Sequence, residues 1–279
     1  RGPDFTKSCK INKFNIIHNL LDISRQQIIQ PNIQEDVILL FNGEIYQPKH
    51  ANVDTLSIIP LYKEHGVSFV EHINGEYAIA LLDEKINCLF LYSDVFATKP
   101  LFYSVEEEHL GIASYSSELV KLGFTKINQV PASTVVSIDL KTLKIKQNQH
   151  SKFSLKEFKT SYDDCIEAFT NAMLIRCNDK ISVGLSSGHD SGAILQWCLD
   201  NKPKANFYYV YTKSENSDIM SRRISECQKS MLNVETIDYY NFQKIFNLVE
   251  SAYLNTNMEQ YKLYKNECST LMLSTIMRK

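Results

Sequence analysis

Leu185-Ser186-Ser187-Gly188-His189-Asp190-Ser191 decides how the second half of this chain is read. The run Ile181-Ser182-Val183-Gly184-Leu185 ahead of it has strand character, and Gly192-Ala193-Ile194-Leu195-Gln196-Trp197-Cys198-Leu199 behind it has helix character. A strand, a short Ser/Gly loop and a helix start form a cradle for phosphate. The first N–H groups of a helix have no partner inside it, and the helix dipole favours an anion there. Small residues let the backbone approach, and the Ser186 and Ser191 hydroxyls can donate to phosphate oxygens. Asp190 repels a phosphate unless a metal lies between them, which points to Mg²⁺. The same residues also serve as ordinary turn and N-cap chemistry.

The chain has 279 residues, enough for two domains with their own cores. A hydrophobic share of 44% with 22% charged residues is that of a globular protein, and a net charge of -2 gives no electrostatic reason to bind nucleic acid. No apolar run is long enough to span a bilayer. Seven cysteines, an odd number without a Cys-x-x-Cys pair, point to reduced thiols in a cytoplasmic protein rather than to zinc or disulfides. The chain opens Arg1-Gly2-Pro3-Asp4 without Met, which reads as a fragment or processed product.

Working outward, the second half alternates strand and helix. Helix is expected over 162–176 with a buried stripe of Cys165, Phe169, Ala172 and Met173, and over 192–201, 218–232 and 242–253. Strands are expected over 180–185, 206–212 and 234–238, and the tail 258–279 is helix-like. Repeated βαβ units imply a parallel sheet with helices on both faces and a ligand beyond the carboxyl ends of its strands. Polar, lysine-rich residues 148–161 mark the boundary, giving domains 1–150 and 151–279. The first half is β-rich. Runs 15–18, 37–41, 77–82 and 88–92 are continuously apolar, so both of their faces should be covered. A helix is expected over 53–65, ending at Gly66, with a shorter one over 114–122 and a hairpin over 134–145.

Phe41-Asn42-Gly43-Glu44-Ile45-Tyr46 is the second informative stretch. An Asn followed by Gly at a strand end can aim a side-chain amide and a backbone N–H at one point, as an oxyanion hole requires. Asn-Gly is equally the commonest hairpin turn.

Asn42-Gly43-Glu44-Ile45-Tyr46 resembles the same run in the class-II glutamine amidotransferase domains of the asparagine synthetase family. Arg1-Gly2-Pro3-Asp4-Phe5, Asn74-Gly75-Glu76-Tyr77-Ala78, Lys99-Pro100-Leu101-Phe102-Tyr103 and Ala113-Ser114 with Glu118 resemble further motifs of that family, in its order. Ser186, Gly188, Asp190 and Ser191 match its Ser-Gly-Gly-x-Asp-Ser pyrophosphate loop, and Ser187 and His189 depart from it. The resemblance implies an αββα, Ntn-hydrolase-like amidotransferase domain followed by an α/β ATP pyrophosphatase domain, incomplete at its C-terminus. It implies glutamine hydrolysis by a Cys upstream of Arg1, with transfer of ammonia to β-aspartyl-AMP made from aspartate and MgATP.

By position, Asn42 and Gly43 would form the oxyanion hole, and Glu44 and Asp54 would hold the glutamine amino group. Leu185, Ser186, Ser187, Gly188, Asp190, Ser191 and Val210 would take ATP and pyrophosphate, with Asp190 holding Mg²⁺ through the phosphates. A homodimer is a family expectation. Leu20 stands where a glutamine-binding Arg is expected, Leu56 for an acidic residue, Ser93 for an Arg and Ala97 for a Gly. These departures and the missing Cys predict that the isolated chain does not hydrolyse glutamine. Two alternatives stay open: a β-lactam-synthetase-like amide ligase with an inactive glutaminase, and a non-catalytic nucleotide-binding paralogue.

Overall fold

The computed structural model describes residues 2, 4–22, 28–48, 54–152, 156, 160–177, 181–210 and 215–237. The chain divides into two compact units, Arg1–Phe158 and Lys159–Lys279.

In the first unit, β1 (Phe5–Ile11) and β2 (Phe14–Leu20) form an antiparallel hairpin. β3 (Asn32–Gln34) and the long β4 (Val37–Gln47) lead to helix α1 (Thr55–His65) and a 3-10 turn (Gly66–His72). The strands β5 (Asn74–Asp83), β6 (Cys88–Ser93), β7 (Phe102–Glu106) and β8 (His109–Ala113) follow. The short helix α2 (Ser116–Lys121), β9 (Asn128–Gln129), β10 (Thr134–Asp139) and β11 (Ile145–Gln149) complete the unit. One antiparallel sheet runs β11-β10-β6-β5-β4-β3, and a smaller one runs β8-β7-β9.

β5 is buried from Tyr77 to Leu82 because both of its faces are covered. Tyr77, Ile79 and Leu81 pack with Ile58, Ile59, Leu61 and Tyr62 of α1. Ala78, Ala80 and Leu82 pack with Tyr103 of β7 and with Ile11, Phe14 and Ile16 of the first hairpin. The layers are thus α1, the six-stranded sheet, a second layer of strands, and α2, whose Leu119 lies against Gly111 of β8. α1 ends at Gly66 with φ 62, a left-handed stop that glycine adopts without strain.

In the second unit, α3 (Asp163–Arg176) precedes β12 (Ile181–Leu185), α4 (His189–Asn201), β13 (Ala205–Val210), α5 (Ser217–Lys229) and β14 (Asn233–Ile237). The strands form a parallel sheet in the order β12-β13-β14. Two right-handed crossovers stepping the same way put α4 and α5 on one face. There Leu195, Cys198, Met220 and Cys227 pack on Ala205, Phe207 and Tyr209. Burial pushes the Cys198 thiol up to about 11.

Three expectations for this unit change, and a fourth falls outside the described residues. Helices on both faces are not found among the described residues: β12 alternates, with Ser182 and Gly184 exposed. Cys165 is exposed, because the stripe of α3 that meets the core is narrower and carries only Phe169 and Met173. α4 starts at His189, three residues before the position expected, with Gly188 as its N-cap. The expected helices over 242–253 and 258–279 lie outside the described residues.

Candidate functional site

β4 does not turn at Asn42-Gly43. It runs on to Gln47, so the two residues sit inside a strand, paired with Ala78 and Tyr77 of β5. Glycine is required there by close approach: a Cβ on Gly43 would meet the Glu76 carbonyl oxygen and lie 2.7 Å from Tyr77 Cα. Gly75 answers it across the ladder, since a Cβ there would meet the Glu44 carbonyl oxygen and lie 3.1 Å from Ile45 Cα. The two Asn-Gly pairs therefore mark one place where β4 and β5 press together, next to the register shift at Ile45/Gln47.

The backbone of Tyr77 faces β6, donating to Asp94 Oδ2 at 3.0 Å and accepting from Asp94 N–H at 3.1 Å. Gly43 and Tyr77 are consequently a pair without ladder bonds between them, and the Gly43 N–H points away from β5. Phe41 and Ile45, two residues either side, point the same way. Gln30 takes Phe41: its Oε1 accepts from Phe41 N–H at 2.6 Å and its Nε2 donates to Phe41 C=O at 3.0 Å. Asp54 takes Ile45, accepting from its N–H at 3.1 Å through Oδ2, while Oδ1 caps α1 through Thr55 N–H at 2.8 Å. Among the described residues nothing accepts from the Gly43 N–H. It is a single open donor between two filled ones, beside the exposed Asn42 side chain. A lone, fixed N–H with a neighbouring amide can stabilise an oxygen that gains negative charge.

The remaining predicted residues fall as follows. Asp54 is brought to this edge, through Ile45. Glu44 is exposed and pairs across with Glu76, which Lys99 Nζ meets at 3.2 Å. Leu20 closes β2, its carbonyl accepting from Asp4 N–H at 3.1 Å, and Gly2 packs on the same backbone. Ala97 has φ 53, a left-handed conformation strained for alanine, in a loop built on the buried Asp94. Asp94 accepts from the N–H groups of Phe96 at 2.8 Å and Thr98 at 3.0 Å, and from the Thr98 hydroxyl at 3.0 Å.

In the second unit, Leu185 and Val210 end adjacent strands, and the loop after Leu185 leads into α4. Ser187 keeps an ordinary negative φ. The hydroxyls are engaged within the loop: Ser186 Oγ and Ser191 Oγ are 2.8 Å apart, and Ser191 Oγ donates to Ser186 C=O at 2.9 Å. Two charged residues from outside the loop hold it. Arg223 Nη1 donates to the carbonyls of Ser186 and, at 2.9 Å, Gly188. Glu215 Oε2 accepts from Ser187 N–H at 2.6 Å and from its hydroxyl at 2.5 Å. A carboxylate thus already occupies one of the loop's donors. Gly192 faces the Arg223 guanidinium, whose Cζ would lie 2.9 Å from a Cβ. Asp190 is exposed in the first turn of α4, and space over Gly188 is open apart from Ser186 Oγ at 3.4 Å from a built Cβ. Among the described residues no three His, Cys, Asp or Glu side chains gather to hold a metal by themselves, and no helix is long and apolar enough to cross a membrane.

Residues 1–160 match the model of a glutamine amidotransferase domain. Among curated proteins, the chain is 36% identical over 130 residues to asparagine synthetase [glutamine-hydrolyzing] 2 of Bacillus subtilis, covering 41% of this chain and 17% of that protein. It is 27% identical over 277 residues to putative asparagine synthetase [glutamine-hydrolyzing] 1 of Methanocaldococcus jannaschii, covering 84% of this chain and 50% of that protein. The chain therefore spans half or less of the length of these relatives. A solved glutamine phosphoribosylpyrophosphate amidotransferase from B. subtilis aligns with a TM-score of 0.39 at 13% identity, over 75% of this chain and 63% of that one, too low a score to argue from.

Proposed function

Because the chain belongs to the glutamine amidotransferase domain family, we propose that it is part of an enzyme that takes the amide nitrogen of glutamine and joins it to a carboxylate activated by ATP. The observation that carries the first step is the open Gly43 N–H, flanked by Phe41 held by Gln30 and Ile45 held by Asp54. With the Asn42 side chain it would take the oxygen of the glutamine amide carbonyl as a nucleophile adds to it. The resemblance places that nucleophile, a Cys, ahead of Arg1. Asp54 and Glu44 would receive the glutamine ammonium group, Asp54 with a carboxylate already fixed in place.

The relatives' names favour aspartate as the acceptor and asparagine as the product. In the second unit the loop Ser186–Ser191 would take the ATP phosphates. Asp190 suits Mg²⁺, a hard cation commonly held by one or two carboxylates plus phosphate oxygens. Bound there, the metal would neutralise phosphate charge as pyrophosphate leaves. Glu215 has to release Ser187 before a phosphate can use its N–H, since two anions cannot share one donor. The reading is of a cytoplasmic, homodimeric enzyme.

The test is ATP–pyrophosphate exchange by the complete protein with aspartate present. Asp190→Asn should keep the fold, because Asn is tolerated in the first turn. It should lower exchange by about 10² or more, the loss expected when a metal's charge stabilisation is removed. Unchanged exchange in a folded Asp190→Asn protein would remove Asp190 from the site. No exchange in the wild type would leave the non-catalytic paralogue as the better reading.

A further inference from the structure

We propose that Gln30 is the positioning residue of the oxyanion donor. The inference rests on the reading of Gly43 N–H as that donor. Gln30 is 4% exposed, and its side-chain amide makes both bonds to the Phe41 backbone that a neighbouring strand would make. β3 reaches only Val37–Leu39 of β4, so beyond Leu39 no strand lies beside that edge of β4 among the described residues. One amide group stands in for the missing strand at Phe41, and Asp54 does the same at Ile45. Between these two clamps lie only Asn42, Gly43 and Glu44.

The consequence is directional. Phe41 is 5% exposed, so without Gln30 its N–H and C=O would be buried with no partner. The strand would rotate to find water or a new acceptor, and the Gly43 peptide plane would rotate with it. Gly43 has no side chain to resist this, and its pairing with Tyr77 supplies no ladder bond. Gln30 therefore fixes where the Gly43 N–H points without touching a substrate. The signal in the sequence is modest: a Gln before Pro31, ahead of a strand.

The experiment uses Gln30→Met, which keeps side-chain length and removes both hydrogen-bonding groups. Labelling with carbonyl-¹³C asparagine and ¹⁵N glycine lights only the two Asn-Gly bonds of this chain, Asn42–Gly43 and Asn74–Gly75. The Gly43 amide signal should move, while that of Gly75, opposite the Asp54-held Ile45, should stay. In the complete protein, kcat for glutamate release should fall tenfold or more while KM for glutamine stays within about threefold. A merely structural Gln30 would lower the melting temperature and leave both signals and kcat in place. That result, or equal movement of both signals, overturns the proposal. If Gln30→Met does not fold, Gln30→Glu is read the same way, since a carboxylate keeps the bond from Phe41 N–H and opposes the Phe41 carbonyl. If the wild type releases no glutamate, the glutaminase reading fails by itself, and Gln30 is judged on the two amide signals.

Discussion

Replacing Gly43 by alanine should damage the first unit out of proportion to one methyl group. The added Cβ would stand 2.7 Å from Tyr77 Cα and 3.0 Å from Tyr77 Cβ, and still closer to the Glu76 carbonyl oxygen. Carbon atoms pack at about 3.5–4.0 Å, so β4 and β5 must part by about 1 Å. The obstacle is backbone of a central strand, which cannot swing aside. Overpacking of this kind costs about 1–3 kcal/mol, and loss of one neighbouring ladder bond adds about 1 kcal/mol. A total of about 2–4 kcal/mol corresponds to a fall of about 4–16 °C in melting temperature for a unit of this size. Gly192→Ala is the matched control. Its Cβ also meets an atom closely, but that atom is the far end of the Arg223 side chain, which can move. Alanine also favours the helix by up to about 1 kcal/mol, so Gly192→Ala should melt within a few degrees of wild type. Circular dichroism melts of the three proteins decide the matter. A Gly43→Ala protein melting within about 2 °C of wild type would refute the close-approach argument.

Two further outcomes follow from local geometry. Ala97→Gly should stabilise the protein by about 0.5–1 kcal/mol, read as a higher urea midpoint, because glycine relieves the left-handed strain at φ 53 in a loop that Asp94 already fixes. Glu106 has its carboxyl lowered to about 2 by bonds from Lys126 N–H first, then the Thr125 N–H and hydroxyl and the Ser104 hydroxyl. A lowered folded value means its contribution is complete above the ordinary 4.5 and drains as pH falls toward 2, so Glu106→Gln should flatten the acid side of the urea-midpoint profile in that window.

Much of the fold was legible because burial on both faces writes continuous apolar runs, as in Tyr77–Leu82, and because a strand, small loop and helix recur in the second half. The misreadings have physical causes. Asn42-Gly43 carries the strongest hairpin signal, yet it lies inside β4, because the glycine is there for contact with Tyr77 rather than for a turn. Gly192 looked like the start of α4, but it is a helical glycine whose bareness admits Arg223. Gln30, Asp94, Glu215 and Arg223 act on backbone groups far along the chain, at separations of 11 to 37 residues. Beyond the Gln before Pro31 and the turn that Asp94 makes with Phe96 and Thr98, local patterns do not mark such partners. Motif resemblance singles out Asn42, Gly43 and Asp54, and the structure brings all three to one stretch of β4. Local patterns do not reveal that, among the described residues, one N–H between two filled neighbours is left open.

The most direct measurement is glutamate release from glutamine by the complete protein, wild type against Asn42→Ala, with both confirmed folded. The account predicts release by the wild type and a fall in kcat of about 10²–10³ on loss of the Asn42 amide, with KM little changed. Release that survives Asn42→Ala at the wild-type rate would contradict it.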